Sequence, residues 1–214
     1  MSLFPRWLRT GFDALVLPIA RWLGTLGATP NAISTVGASV LVAAGAAFAT
    51  GRVRAGGALL LLSGLFDMLD GRLARISGQA TPFGAFYDST LDRVGESILF
   101  LGIALFFVDG GVPAAMVPGA VAAAILALAG SLLVSYTRAR AEGLNLECKV
   151  GILQRAERIV GLSAPTLFFG AGPEGRLLLA IVVLLAVLSF ITVVQRILHV
   201  RRVTRAVARE RTSS

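Results

Sequence analysis

The sequence predicts an all-α integral membrane protein, with six transmembrane helices preceded by an N-terminal interfacial amphipathic helix. Three observations predict it. Apolar residues make up 56% of the 214 positions and charged residues only 15%, far from a soluble globular average. Six apolar runs, at about 31–50, 55–76, 83–108, 113–140, 152–170 and 175–198, are each long enough, with tilt, to cross a hydrocarbon core of about 30 Å. The basic residues gather at the ends of those runs, so the net charge of +8 fits a membrane surface and not nucleic acid. One membrane domain is expected. Residues 1–28 form the interfacial helix, 29–200 the six-helix bundle and 201–214 a basic tail.

In residues 3–24, Arg6, Arg9, Asp13 and Arg21 interrupt the apolar pattern too often for a spanning helix. The segment lacks the clean apolar core and small-residue cleavage site of a signal peptide. It reads as a helix lying in the interface, with Trp7 and Trp22 at headgroup level and Pro18 kinking or ending it. Thr29-Pro30-Asn31 opens the first span. Thr29 or Asn31 can cap it, and Pro30 suits its first turn. Pro82 marks the turn between spans two and three, and the fourth span is rich in Ala and Gly. The fifth starts at the charged turn Gln154-Arg155-Ala156-Glu157-Arg158, and the sixth carries Arg196 before the tail. With both termini on one side, the opposite side receives only Arg52, Arg54 and Arg176. The other 17 of the 20 basic residues then make the termini side cytoplasmic.

The stretch from Asp67 to Asp92 sits where spans two and three meet on that side. Asp67 and Asp70 are three apart, and Asp88 and Asp92 four apart, so each pair projects from one helical face. An acid at membrane depth costs roughly 2.5–3.5 kcal/mol on insertion scales, so four of them need a compensating partner. Cys148 and His199 are the only cysteine and histidine, which excludes an internal disulfide and a Cys- or His-rich metal site. Clustered carboxylates alone suit a hard divalent cation. A lone aspartate here could equally serve a proton or cation pathway. Likewise, Gly71, Ala74 and Gly84 taken singly could be close-packing positions between helices.

Together, Asp67-x-x-Asp70-Gly71-x-x-Ala74-Arg75, eight residues, then Gly84-x-x-x-Asp88-x-x-x-Asp92 resembles the signature of the CDP-alcohol phosphotransferase family, with every position filled. The resemblance implies a homodimeric six-helix membrane enzyme of phospholipid biosynthesis. It implies CDP-diacylglycerol as donor and two divalent ions, Mg2+ or Mn2+, held by Asp67, Asp70, Asp88 and Asp92. It also implies Asp92 as the general base for the acceptor hydroxyl. Asn31, Asp67, Gly71, Ala74, Arg75 and Gly84 are the expected donor-binding residues. The small ones let a nucleotide approach the helix backbone, and Arg75 can fork onto a phosphate.

The run Ser135-Tyr136-x-Arg138-Ala139-Arg140-Ala141-Glu142, with Arg155-x-Glu157-Arg158 and Gln195-Arg196, resembles the phosphatidylinositol-phosphate synthase branch. That likeness implies inositol 1-phosphate as acceptor, bound by Ser135, Arg138, Arg155, Arg158 and Arg196. Two departures stand out. That branch is expected to carry Lys where Arg138 stands and Pro where Ala156 stands. A phosphatidylglycerophosphate synthase using glycerol 3-phosphate is the alternative within the class. A cation or proton transporter built on the Asp cluster is the alternative outside it.

Overall fold

Short polar signals between the apolar runs set the helix boundaries. The computed structural model describes the backbone of residues 6–213 and the side chains of residues 16–205. Among the described residues seven α-helices follow one another: α1 Arg6–Thr25, α2 Pro30–Ala49, α3 Val53–Ile76, α4 Pro82–Phe106, α5 Val117–Glu142, α6 Arg155–Phe169 and α7 Arg176–Ser213. The Thr29 hydroxyl accepts the Ala32 amide at 3.3 Å and starts α2, with Pro30 in its first turn. Thr81-Pro82 repeats the device on α4, where the Thr81 hydroxyl accepts the Gly84 amide at 3.0 Å. In each case a side chain satisfies an amide that the first helical turn leaves without a partner. At α6, Gln154 and Glu157 cap each other's backbone reciprocally.

Three stretches, Pro30–Ala49, Ala114–Glu142 and Pro173–Arg205, are long and apolar enough to cross a membrane. α3 and α4 have the length, 24 and 25 residues, but carry the acidic motif. α6 has only 15 residues, a rise of about 22 Å. It is shorter than the expected run at 152–170. The Gln154 cap holds its start, and Gly170, with φ +64, turns the chain out of the helix. Of the two outcomes expected at Pro18, an end is excluded, because α1 continues through it to Thr25. α7 runs past residue 200 to Ser213, so the basic residues beyond 200 extend that helix. The expected place of Trp7 lies outside the described side chains, whereas Trp22 is exposed.

α2 is the central strut. It packs along both α3 and α4, while α3 also meets α6 and α1, and α5 pairs with α7. Buried Leu41, Phe48, Leu60, Phe100, Ile103, Leu162 and Val182 join these helices in one core. A smaller cluster of Val16, Ala20, Ile33, Leu69 and Leu73 fastens α1 to α2 and α3. The approach of α2 to α4 is set by glycine, because a Cβ on Gly102 would overlap the carbonyl of Gly45. Gly102→Ala should therefore overpack this contact and destabilise the bundle by about 1–3 kcal/mol. Thermal unfolding of the detergent-solubilised protein measures it, and an unchanged Tm would mean that the helices can part freely here. With α2 as their common floor, α3 and α4 face each other across a cleft at the ends that carry the aspartates.

Candidate functional site

The cleft is lined by Ser34, Gly37, Ala38 and Leu41 of α2, Ser63, Asp67 and Asp70 of α3, Asp88 and Asp92 of α4, and Arg155 of α6. Each helix contributes through its periodicity. The three-residue step on α3 and the four-residue step on α4 turn both acid pairs towards α2. Asp67, Asp70 and Asp88 each bring a carboxylate oxygen to within 4.8 Å of the others. Asp70 is buried, and the Ser34 hydroxyl donates to its Oδ2 at 2.6 Å. Three converging hard oxygens, one of them oriented by a hydrogen bond, suit Mg2+ or Mn2+ and are a poor set for a soft metal. Asp92 lies outside that group of three and is the more enclosed of the two acids that Arg155 bridges, its side chain 12% exposed against 31% for Asp67.

Arg155 is the first residue of α6 and lines the cleft. Its Nη1 donates to Asp67 Oδ1 at 2.6 Å and also to Asp92 Oδ2. The guanidinium thus offsets part of the repulsion among four carboxylates held a few ångströms apart. Arg93 adds a second cation 3.8 Å from Asp92, so the four acids still outnumber the cations paired with them. Asp67 thus belongs both to the converging group of three and to the pairing with the Arg155 guanidinium.

Of the donor-side candidates, Asp67 lines the cleft, and Asn31, Gly71, Ala74, Arg75 and Gly84 are not among its lining residues. A Cβ on Gly84 would lie 3.2 Å from Asn31 Oδ1, so these two expected residues are neighbours across α2 and α4. A Cβ on Gly71 would meet only Arg75 Nη2, at 3.8 Å, which leaves the α3 surface open there. Arg75 is exposed and donates through Nε to the Gly71 carbonyl at 2.8 Å, curling back over that open surface. Ala74, one turn along from Asp70, is half-buried.

The expected acceptor residues divide into separate settings. Arg155 is drawn to the aspartates. Arg138 is exposed and paired with Glu142 at 2.8 Å. Arg196 is buried, donating through Nε to the Val150 carbonyl at 2.9 Å and through Nη1 to the Val134 carbonyl. Arg138 and Arg158 both lie within its electrostatic range. Arg158, also buried, donates to Glu96 Oε1 at 2.9 Å. Ser135 accepts from Arg93 Nη1 at 2.6 Å. Arg155 is thus paired with the aspartates of the cleft, while Arg138, Arg158 and Arg196 are paired elsewhere.

Sequence reasoning missed Ser34, Arg93 and Glu96. Glu96 had a visible signal, since it extends the four-residue spacing of Asp88 and Asp92 deep into an apolar run. Ser34 had none, because its pairing with Asp70 spans 36 residues.

The sequence model of the CDP-alcohol phosphatidyltransferase family matches residues 27–200. The archaetidylinositol phosphate synthase of Methanothermobacter thermautotrophicus is 41% identical over 168 residues, covering 78% of this chain and 80% of the relative. The crystal structure of Mycobacterium tuberculosis phosphatidylinositol phosphate synthase with CDP-DAG bound superposes with a TM-score of 0.75 at 34% identity, over 87% of this chain and 94% of that one. The same enzyme in complex with manganese and citrate gives 0.73 at 34% identity, over 86% and 88% of the two chains.

Proposed function

The chain belongs to the CDP-alcohol phosphatidyltransferase family, and from that membership we propose that it transfers the phosphatidyl group of CDP-diacylglycerol to the hydroxyl of inositol 1-phosphate. The products are phosphatidylinositol phosphate and CMP. The observation that carries this reading is the convergence of Asp67, Asp70 and Asp88 oxygens within 4.8 Å in a cleft that also holds Asp92. The solved relatives with CDP-DAG and with manganese support the donor and the class of metal.

Asp67, Asp70 and Asp88 would hold the divalent ions, two by family resemblance. When bound, these neutralise the diphosphate and the charge that gathers on the leaving CMP. Asp92 is the base. Its carboxylate takes the proton of the acceptor hydroxyl as that oxygen bonds to the phosphatidyl phosphorus and the bond from phosphorus to the CMP oxygen breaks. Gly71 and Gly84 give the nucleotide a close path to the backbone between Asn31 and Arg75. Arg155 serves two partners in turn. It holds Asp67 and Asp92 together in the resting cleft, and its guanidinium matches an acceptor phosphate once it leaves them. Ser135, Arg138, Arg158 and Arg196 complete the acceptor side.

The six-span arrangement follows if α3, α4 and the short α6 cross together with the three clearly apolar stretches, leaving α1 at the interface. The basic residues then set the cleft and both termini towards the cytoplasm at the cell inner membrane. Residues 1–28, 29–200 and 201–214 would act as one domain, and crosslinking in membranes tests the homodimer that the resemblance implies.

The activity test is CMP release by purified protein with CDP-diacylglycerol and Mg2+, one acceptor at a time. Release is expected with inositol 1-phosphate and at least about tenfold less with glycerol 3-phosphate, free inositol or serine, since a missing or misplaced phosphate leaves buried guanidinium groups unpaired. Preference for glycerol 3-phosphate would keep the chemistry and overturn the acceptor. Release from an archaeol-based CDP donor alone would overturn the diacylglycerol assignment.

A further inference from the structure

Glu96 lies one helical turn beyond Asp92, 7% exposed, at a depth where an isolated carboxylate would be strongly disfavoured. It is fully engaged. Oε1 accepts from Arg158 Nη2 at 2.9 Å, and Oε2 accepts from the Ser131 hydroxyl at 2.9 Å and from Arg93 Nη1 at 3.3 Å. One carboxylate thus joins α4, α5 and α6. Arg93 extends the network at both ends, reaching Ser135 at 2.6 Å and lying 3.8 Å from Asp92.

The other end of Arg158 is the informative part. Arg158 is 6% exposed, yet its Nη1 is buried with no hydrogen-bond partner among the described residues. A buried cationic N–H left unpaired is a costly state. Its surroundings make this worse, because buried Arg196 is subject to like-charge repulsion from both Arg138 and Arg158. Glu96 and Glu142 are the acids paired with these arginines, so cations outnumber anions. An anion carrying several acceptor oxygens would relieve both the unpaired donor and the excess charge.

We propose that Glu96 is a positioning residue for the acceptor: it clamps Arg158 by Nη2, so that Nη1 is held ready for a phosphomonoester oxygen close to the Asp92 helix. This rests on the phosphorylated-acceptor reading above. It adds a physical link between two parts of the site, since α4 carries both the base and the residue that aims an acceptor cation. A guanidinium fixed on one edge loses less freedom when it binds on the other.

The experiment is steady-state CMP release with inositol 1-phosphate and with glycerol 3-phosphate, for the wild type, Glu96→Gln, Glu96→Asp, Arg158→Gln and the Glu96→Gln/Arg158→Gln double variant. Donor KM, acceptor KM and Tm are read for each. Glu96→Gln is expected to raise the acceptor KM at least tenfold, with the donor KM within about twofold. Glu96→Asp should recover part of that loss, and the double variant should be no worse than Arg158→Gln alone. A lower Tm with an unchanged acceptor KM would make Glu96 a structural ion-pair partner only and overturn the proposal. So would independent, multiplying losses in the double variant. If Glu96→Gln does not accumulate as folded protein, Glu96→Asp and Arg158→Gln decide, and an unchanged acceptor KM in both overturns the proposal. Wild-type preference for glycerol 3-phosphate would overturn the inositol assignment and leave the KM comparison, and so the Glu96 proposal, intact. Use of unphosphorylated acceptors alone would overturn both.

Discussion

Asp92→Asn is expected to slow CMP release by about 10²–10⁴-fold, the range a positioned general base contributes, while leaving divalent binding within a few-fold of wild type. The two halves of that expectation come from different observations. Asp92 lines the same cleft as the other aspartates, so it is placed to meet the reacting hydroxyl. It lies outside the group of three whose oxygens converge within 4.8 Å, so it is not needed to hold the first ion. Asn keeps the volume and can still accept a hydrogen bond from Arg155, so the loss would report the missing proton acceptor and not a collapsed cleft. Mn2+ titration followed by electron paramagnetic resonance measures the second half. A metal affinity that fell by tenfold or more in Asp92→Asn would make Asp92 a ligand, and the rate loss could no longer be assigned to proton transfer.

The acidic motif and the helix starts were legible because both are local. Thr29-Pro30 and Thr81-Pro82 act within one turn, and the aspartate spacings translate directly into faces of single helices. Which of the two outcomes Pro18 would have, a kink or an end, was not legible for the same local reason. A proline there loses one backbone bond, but α1 stays helical while Val16 and Ala20 pack against Leu69 and Leu73. The acceptor side was the least legible. Arg155 was grouped with other arginines by its chain neighbourhood, yet its nearest partners are Asp67, 88 positions away, and Asp92, 63 away. Pairings of that kind depend on how α6 lies against α3, which no run of neighbouring residues encodes. Ser135 likewise stood in a recognisable run, but its bond to Arg93 spans 42 positions.

Asp70→Asn should abolish turnover by removing metal, a larger effect than any change among the acceptor arginines. Asp70 is the most buried of the three converging carboxylates, and the Ser34 hydroxyl fixes its orientation. An amide in its place offers a neutral oxygen and loses the charge that holds a divalent ion against its own hydration. Arg155 contacts Asp67 and Asp92 but not Asp70, so its pairing survives the substitution. CMP release should fall to background, and Mn2+ affinity should fall by more than the roughly 10–100-fold that follows loss of a residue orienting a metal ligand. Ser34→Ala supplies that comparison in the same cleft, because it leaves all three carboxylates in place and removes only the hydrogen bond to Asp70. If Asp70→Asn lost no more affinity than Ser34→Ala, the ion would be held chiefly by Asp67 and Asp88. Asp70 would then act on the bound donor rather than on the metal.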